Sequence, residues 1–571
     1  MGAVTGAVVA TPLAIEHRAL GGPGDVRVPT AEVVTTGAGP RRSRAAAASL
    51  GTRPRLVAGV GGALGRGIEP GDLVVADEVR GPDGAPVRVP SAPVLAAALR
   101  AAGLTVHVGP VVSAEHVVTG AARAALGSGA RCSNGTFLAS DARNVPLLPS
   151  EGPAAPWVNG AVLTSDARNV PLLPSEGPSG RPSEGPSKGP TGPEGRPPLA
   201  VDTESAWLAP APGVPFAVVR AVVDTPDHPL RHPGTVTRGI AALRALRRAA
   251  PVIAAWCAAL GEREVLLAEP RSFCAGVDRA IATVEAALER HGAPVYVRRQ
   301  IVHNRHVVAD LERRGAVFVR EADEVPPGSV LVLAAHGVAP GVRRTAARRH
   351  LAVVDATCPL VTKVHAGVRR QTGRGATVFL IGHPEHEEVE GTVGEAADAA
   401  GDVVVVATEA EAETVTAPDP ARVASAVQTT LALDEAERIA AVLRRRFPAL
   451  VEPRSADICY ATTNRQAAVR AVAADADRLV VVGSANSSNS VRLAEVGARA
   501  GVDARRVEDA GELDLTWLAG ARRVAVTAGA SAPDHLVDGV VDLLRGLGPV
   551  TVTTRSTTTE DVHFTLPKEV S

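Results

Sequence analysis

The chain has 571 residues, a formal net charge of −1 and a composition that is 45% hydrophobic. This length accommodates three or four ordinary domains, each with its own core. The near-zero charge argues against nucleic acid or an anionic membrane as a partner. Five cysteines are too few for a disulfide framework in a chain of this size, which favours a reducing, cytoplasmic compartment. No secretory signal or membrane span is predicted, because the apolar run at 249–260 is too short to cross a bilayer.

The first part of the chain alternates strand and helix patterns. Leu56–Val60 is an apolar run that we expect to end in a glycine turn at Gly61 and Gly62, and Leu73–Ala76 is a second strand. We predict an α/β domain over residues 1–258.

Three strings in this domain, at 57–64, 68–77 and 200–207, resemble the nucleoside phosphorylase and nucleosidase family. The resemblance implies that Glu204 binds ribose hydroxyls and that Asp224 protonates the purine. Thr203 and Val223 depart from the family, which has methionine and serine there. The resemblance therefore implies a vestigial nucleoside-binding module.

Residues 131–198 differ in composition from the rest of the chain. The string at 140–153 recurs unchanged at 165–178, and Ser-Glu-Gly-Pro echoes follow it. A segment so rich in Pro, Gly and Ser cannot bury a core. We predict a low-complexity insert without a catalytic role.

The remaining chain, 259–571, carries three cysteines in similar loops, Cys274, Cys358 and Cys459. None has a second cysteine nearby, so no local redox pair or zinc knuckle forms. Their roughly even spacing predicts three similar α/β subdomains, at about 264–345, 346–435 and 436–545. Three thiolates without a fourth ligand are what an iron–sulfur cluster with one open iron requires. Cys132 and Cys257 are interpreted as ordinary residues.

Each predicted subdomain has strands that end in polar loops, and such ends are where α/β sheets bind ligands. The polar residues in these loops are His303, His336, His386, Glu388, Thr429, Ser487, Ser488, Asn489 and Ser531. Three units that face one another would enclose one polar cavity around a cluster.

Residues 264–570 resemble the IspH/LytB family of 4-hydroxy-3-methylbut-2-enyl diphosphate reductases. The matching strings include 273–279, 302–305, 335–338, 355–365, 388–392, 428–430, 459–466, 483–490 and 527–533. Glu269 and Ser272 stand where the family more often has asparagine and glycine. The resemblance implies an oxidoreductase of the non-mevalonate isoprenoid pathway. Its products would be isopentenyl and dimethylallyl diphosphate, and its electron donor a ferredoxin or flavodoxin.

The resemblance also assigns roles. It implies a 4Fe-4S cluster on Cys274, Cys358 and Cys459, with the substrate hydroxyl on the open iron. The diphosphate would be bound by His303, His336, His386, Ser487, Ser488, Asn489 and Ser531. Imidazolium and neutral donors together would supply charge-assisted hydrogen bonds.

Glu388 would donate the proton, with a raised pKa, and Thr429 would bond the substrate hydroxyl. Glu387 and Glu390 are neighbouring carboxyls that could be solvated charges. His291, His350, His365 and His383 are interpreted as ordinary.

Two other functions remain open on the residues alone. A hydratase that holds zinc or a cluster would add or remove water without net reduction. A regulatory sensor would use a nucleoside-binding front domain to gate a cluster domain.

Overall fold

The computed structural model describes residues 6–21, 31–82, 85–127, 196–398 and 402–571. The predicted insert lies outside the described residues up to position 195, as do Cys132 and both copies of the repeat. The described chain is α/β, which confirms the predicted fold class. Among the described helices, none combines the length and the apolar character that crossing a membrane requires.

The N-terminal part forms one eight-stranded mixed sheet. Its strands are β1 (Val8–Thr11), β2 (Glu32–Thr35), β3 (Arg55–Ala63), β4 (Leu73–Arg80), β5 (Val87–Arg88), β6 (Val106–Ser113), β7 (Ala200–Asp202) and β8 (Phe216–Asp224). β8 pairs with β3 and β4, while β7 pairs with β3 and β6, so β3, β7, β6, β4 and β8 close into a ring. Every residue of β8 is buried, as its nearly continuous apolar sequence requires.

Six helices accompany this sheet. They are α1 (Ala14–Gly21), α2 (Pro40–Leu50), α3 (Ala92–Ala101), α4 (Gly120–Gly127), α5 (Ser205–Leu208) and α6 (Thr235–Ala258). α6 buries Leu246, Ile253 and Trp256 on one side, and it packs against α1, α3 and β8. Its helical apolar spacing accounts for this buried face.

The prediction of a glycine turn at Gly61 and Gly62 is wrong, because β3 continues through both residues to Ala63. The pairing of β3 with β8 shifts register between them. A Cβ at Gly62 would lie 2.9 Å from an oxygen of Asp224, and one at Gly61 would lie 3.2 Å from the carbonyl of Val201. The glycines therefore permit close approach within the strand.

The C-terminal part contains three parallel sheets with strand orders β11-β10-β12-β13, β15-β14-β16 and β18-β17-β19-β9-β20. The strands are β9 (Arg263–Glu269), β10 (Val295–Arg298), β11 (Ala316–Val319), β12 (Val330–Leu333), β13 (Ala352–Asp355), β14 (Thr377–Ile381), β15 (Val403–Val406), β16 (Val423–Val427), β17 (Arg478–Val482), β18 (Asp503–Val507), β19 (Arg523–Ala528) and β20 (Val550–Ser556). The helices are α7 (Ala275–His291), α8 (Arg305–Arg313), α9 (Pro340–Arg348), α10 (Pro359–Thr372), α11 (Glu387–Asp398), α12 (Glu409–Thr414), α13 (Leu433–Arg446), α14 (Tyr460–Ala473), α15 (Ser488–Arg499), α16 (Leu515–Leu518) and α17 (Asp534–Gly546).

One strand lies in a different sheet from its neighbours in sequence. β9 precedes the Cys274 loop, but it pairs with β19 and β20 in the third sheet. The chain therefore begins its C-terminal part in the third sheet and crosses to the first at the Cys274 loop. The domain limit at 258/259 and the three subdomain ranges stay predictions.

The N-terminal and C-terminal parts share one hydrophobic core. Leu246 and Trp256 of α6 belong to the same buried cluster as Trp517 of α16 and Val526 of β19. The indole nitrogen of Trp256 also donates to Ser91 Oγ at 3.1 Å. Separating the two parts would expose this apolar surface, so experiments on either part require the full chain.

Candidate active site

Six strands of the three parallel sheets end in loops that meet at one cavity. The strands β10, β12, β14, β16, β17 and β19 precede, in this order, His303, His336, His386, Thr429, Ser487 and Ser531. All twelve residues that the sequence assigned to the site line this cavity, whose volume is about 780 Å³. The structure thus brings the predicted residues together, and their individual roles stay predictions.

The three thiols stand at the starts of three helices. Cys274, Cys358 and Cys459 are the N-cap residues of α7, α10 and α14. A helix N-terminus carries partial positive charge, which favours a thiolate. The sulfur of Cys459 also accepts a hydrogen bond from the backbone N–H of Thr462 at 3.3 Å.

These thiols fit a metal cluster. None of the described cysteines forms a disulfide. A Cβ at Gly276 would lie 2.7 Å from Cys358 Sγ and 3.9 Å from Cys274 Sγ, so both sulfurs lie close to the first turn of α7. Burial raises the pKa of Cys358 to about 11 and that of Cys459 to about 12. Thiolates in this site therefore need additional positive charge, which bound iron would supply.

A buried arginine joins the Cys274 loop to the Cys459 helix. Arg465, on α14, is fully buried and donates to the carbonyls of Ser272 at 2.7 Å and Phe273 at 3.2 Å. Ser272 has a φ of 58°, in the left-handed region that favours glycine. This conformation accounts for the glycine that is more usual there in the family. Arg465 thereby fixes the loop that orients Cys274.

The C-terminal segment 557–571 closes one side of the cavity. Glu560 forms an ion pair with Arg465 at 3.0 Å, and Phe564 lines the cavity. Further along, Val570 is buried in the core of the first sheet. The segment therefore connects the third sheet, where β20 ends, to the first.

The three predicted histidines form a compact group. The rings of His303 and His336 are stacked with centroids 4.0 Å apart, and His386 is edge-on to both at 5.8 and 6.0 Å. Burial lowers the pKa of His303 to about 4 and that of His386 to about 4. The pKa of His336 is lowered by burial and by repulsion from the other two rings. The free site therefore has neutral imidazoles rather than the predicted mixture with imidazolium, and an anionic ligand would restore protonation.

The N-terminus of α15 lines the same cavity as the histidines. Ser487 is its N-cap residue, and Ser488 and Asn489 form its first turn. Asn489 Oδ1 accepts from the backbone N–H of Ala530 at 2.9 Å, and Ser531 Oγ donates to the carbonyl of His303 at 3.0 Å. Free N–H groups at the start of a long helix bind anions. This side of the cavity can therefore bind phosphate oxygens.

Glu388 is the buried carboxyl of the cavity, with 2% of its surface exposed. One oxygen accepts from the backbone N–H of Thr429 at 2.7 Å, and the other is 2.8 Å from Thr429 Oγ1. Burial raises the pKa of Glu388 to about 7, although the hydrogen bonds from Thr429 oppose this shift. Glu388 can therefore hold or release a proton near neutral pH.

Several residues in or near the site were not among those predicted from the sequence. Thr462 follows Cys459 by three residues, which is the spacing of a helix cap and could have been recognised. His365, interpreted as ordinary, is buried, and a Cβ at Gly337 would lie 2.7 Å from its ring. Arg465 and Phe564 carried no local signal, because their contacts are distant in sequence.

A second cavity, of about 860 Å³, lies in the N-terminal part and brings together Glu16, Asp202, Glu204 and Asp224. Fully buried Arg220 forms ion pairs with Asp202 at 2.7 Å and Glu204 at 3.3 Å. The sequence analysis had named Glu204 and Asp224 but missed Glu16.

The partners of these carboxyls differ. Glu16 accepts from the backbone N–H groups of Leu13 and Val60 at 2.7 Å each, and burial raises its pKa. Asp224 is paired with Arg123. Several acceptors thus face one cavity in which the arginines balance only part of the charge.

The site lies where three parallel sheets converge, and it contains thiols, imidazoles and a carboxyl that can hold a proton. These features define an α/β oxidoreductase that is suited to a metal cluster. The family model described as LytB protein matches residues 265–545. The chain therefore belongs to the IspH/LytB family of 4-hydroxy-3-methylbut-2-enyl diphosphate reductases, whose members are iron–sulfur enzymes.

Two relatives that are diphosphate reductases agree with this membership. The chain is 55% identical over 312 residues to the 4-hydroxy-3-methylbut-2-enyl diphosphate reductase of Acidothermus cellulolyticus, covering 54% of this chain and 91% of the relative. The solved E-1-hydroxy-2-methyl-but-2-enyl-4-diphosphate reductase of Plasmodium falciparum is 34% identical, with a TM-score of 0.52, and the match covers 54% of this chain and 97% of the relative. A solved putative methylthioadenosine nucleosidase from Weissella paramesenteroides is 14% identical, with a TM-score of 0.27, over 44% of this chain and 96% of the relative.

Proposed function

We propose that the chain reduces (E)-4-hydroxy-3-methylbut-2-enyl diphosphate to isopentenyl and dimethylallyl diphosphate. The observation that carries this proposal is the convergence of three thiols, an anion-binding helix start and a carboxyl with a pKa near 7 on one cavity. In the overall reaction the C–O bond breaks, the hydroxyl leaves as water, and a C–H bond forms with two electrons and two protons. A ferredoxin or flavodoxin would supply the electrons.

In this proposal Cys274, Cys358 and Cys459 hold a 4Fe-4S cluster with one iron free of protein ligands. When bound, the cluster would transfer electrons and act as a Lewis acid toward the substrate hydroxyl. The N-cap positions of the thiols support this, because helix N-termini stabilise an anionic centre.

The diphosphate group would lie between the histidines and the start of α15. His303, His336 and His386 line the same cavity as Ser487, Ser488, Asn489 and Ser531. His386 Nδ1 accepts from the backbone N–H of Glu388 at 3.2 Å, so its other nitrogen is the donor. Because the free imidazoles are neutral, diphosphate binding would be coupled to proton uptake.

Glu388 would deliver the proton to the leaving hydroxyl, with Thr429 between them. When Glu388 is protonated, it can donate to Thr429 Oγ1 at 2.8 Å, and the threonine hydroxyl can then donate to the substrate. This arrangement holds the proton until the C–O bond begins to break.

The test is anaerobic purification of the full chain with iron and sulfide analysis, followed by turnover with dithionite. We expect both isoprenyl diphosphates to form, with two electrons consumed per substrate. A hydratase would instead add water to the substrate or remove water from it without consuming reductant. That result would contradict the proposal.

We also propose that the N-terminal cavity binds a nucleoside. Glu204 accepts from the backbone N–H of Gly39 at 3.2 Å, so its carboxylate is held in the wall of the cavity. Carboxylates that are only partly balanced by arginine are suitable acceptors for ribose hydroxyls.

Adenosine titrated calorimetrically into the full chain should bind, and Glu204→Gln should weaken binding by about 10-fold, since a hydrogen bond to a charged group contributes about 1.5–3 kcal/mol. The exposed Glu32→Gln variant is the control and should bind as the wild type does. Absence of adenosine binding at millimolar concentration would contradict this second proposal and leave the reductase proposal intact.

A further inference from the structure

Two histidines and one glutamate of the reductase cavity have the geometry of a metal site that is separate from the thiols. Ligand atoms of His303, His336 and Glu387 all lie within 4.8 Å of one another. Glu387 Oε2 and His336 Nδ1 lie 3.7 Å apart. Ligand atoms around a tetrahedral zinc ion, at bond lengths of about 2.1 Å, are roughly 3.4 Å apart. To bind one ion, His303 and His336 would rotate out of their stacked arrangement, in which the ring centroids lie 4.0 Å apart, so that a nitrogen of each ring points at the metal.

One of these atoms lacks a hydrogen-bonding partner. His336 Nδ1 is buried and makes no hydrogen bond to the described residues. A buried polar atom without a partner is costly, and a bound ion would satisfy it. The histidine rings are neutral when the cavity is free, which is the form that ligates metals.

The surrounding charges are compatible with a cation. Arg298 and Arg299 are the positive groups that act on the Glu387 carboxyl. Both have other acidic partners: Arg298 pairs with Glu321 at 2.9 Å, and Arg299 pairs with Glu390 at 2.8 Å. Among the described residues, the close ion pairs of these two arginines are thus with Glu321 and Glu390 rather than with Glu387.

We infer that His303, His336 and Glu387 form a binding site for one divalent transition-metal ion of the Zn²⁺ class. Two imidazole nitrogens and one carboxylate are a recognised ligand set for zinc, whereas Mg²⁺ prefers oxygen ligands alone. Because His303 and His336 also belong to the proposed diphosphate site, the ion and diphosphate exclude one another, and this consequence rests on the proposed function.

The experiment titrates Zn²⁺ into the cluster-containing full chain under anaerobic conditions, against a chromogenic chelator. We expect one zinc ion per chain, with iron retained, and a nitrogen and oxygen coordination shell in the zinc X-ray absorption spectrum. Glu387→Gln should weaken zinc binding at least about 10-fold, since even outer-shell losses cost 10- to 100-fold in metal affinity. After subtraction of the Zn²⁺ that diphosphate itself chelates, measured in a protein-free titration, inorganic diphosphate should still weaken zinc binding to the wild type.

The matched control is Glu385→Gln, two residues earlier and exposed, which should bind zinc as the wild type does. Glu387→Gln should retain the iron content and cluster absorbance of the wild type, which shows that the variant is folded. Sulfur ligands to zinc, loss of iron, or equal affinity in Glu387→Gln would overturn the metal site. Zinc binding that diphosphate does not affect would support the site but overturn mutual exclusion and count against the proposed diphosphate position.

Discussion

Replacing Cys358 with serine is expected to abolish reductase turnover and to lower the iron content of the purified chain. Cys358 caps α10 at the cavity and lies beside the first turn of α7, so no neighbouring side chain can take its position without moving a helix start. Without a stable cluster the electrons have no route to the substrate. We expect kcat to fall at least about 10³-fold, which corresponds to about 4 kcal/mol of transition-state stabilisation. Iron and sulfide analysis together with single-substrate kinetics would measure both effects.

The control for this substitution is Cys257→Ala. Cys257 is also buried, but it lies on α6 in the core shared by the two parts of the chain. Burial raises the pKa of Cys257 to about 12, as expected for a thiol that packs as a small apolar group. Its removal should lower stability by about 1 kcal/mol and leave iron content unchanged. Full iron and turnover in Cys358→Ser would refute the assignment of this thiol as a ligand.

The sequence predicted the convergence of the site well, because that convergence follows from parallel strands. Apolar strands followed by polar loops place His303 and His336 at the carboxyl edge of the first sheet and Thr429 at that of the second. The raised pKa of Glu388 was also predictable in direction. Burial is the largest cause of this raised pKa.

Contacts between distant segments were not predictable in this way. The pairing of β9 with β19 and β20 depends on long-range hydrogen bonds that no local pattern encodes. The same holds for Glu560 and Phe564, which reach the cavity only because the last segment returns to the first sheet. The prediction of a turn at Gly61 was wrong for a different reason. Glycine occurs both in turns and where two backbones approach closely, and the local sequence does not distinguish these two cases.

The neutral state of the histidines illustrates the limit of reasoning from residue types. Three imidazoles in polar loops suggest an anion site with positive charge. Burial instead lowers the pKa of all three rings, and repulsion from the other two rings adds to this effect at His336. Residue types alone do not give the degree of burial.

The Glu388→Gln substitution is expected to lower kcat by about 10²- to 10⁴-fold, the usual contribution of a general acid. Glutamine still accepts from the backbone N–H of Thr429, so the loop geometry at 2.7 Å is preserved. It has no proton to release to Thr429 Oγ1, so C–O cleavage loses its donor. KM should change little, because the proposed diphosphate ligands are untouched. Steady-state kinetics would separate the two parameters, and a rise in KM at constant kcat would contradict the role.

The pH profile distinguishes proton donation by Glu388 from a merely structural role. The pKa of Glu388 is raised to about 7, so the carboxyl is protonated below that pH and loses its proton above it. Wild-type kcat should therefore fall about 10-fold per pH unit above pH 7, since only the protonated form can donate. This decrease, the alkaline limb of the pH profile, should disappear in Glu388→Gln. It should persist in Glu390→Gln, because the Glu390 carboxyl is exposed and paired with Arg299. If the limb persisted in Glu388→Gln, the titrating donor would be another group, and the buried carboxyl would serve only to hold Thr429 in place.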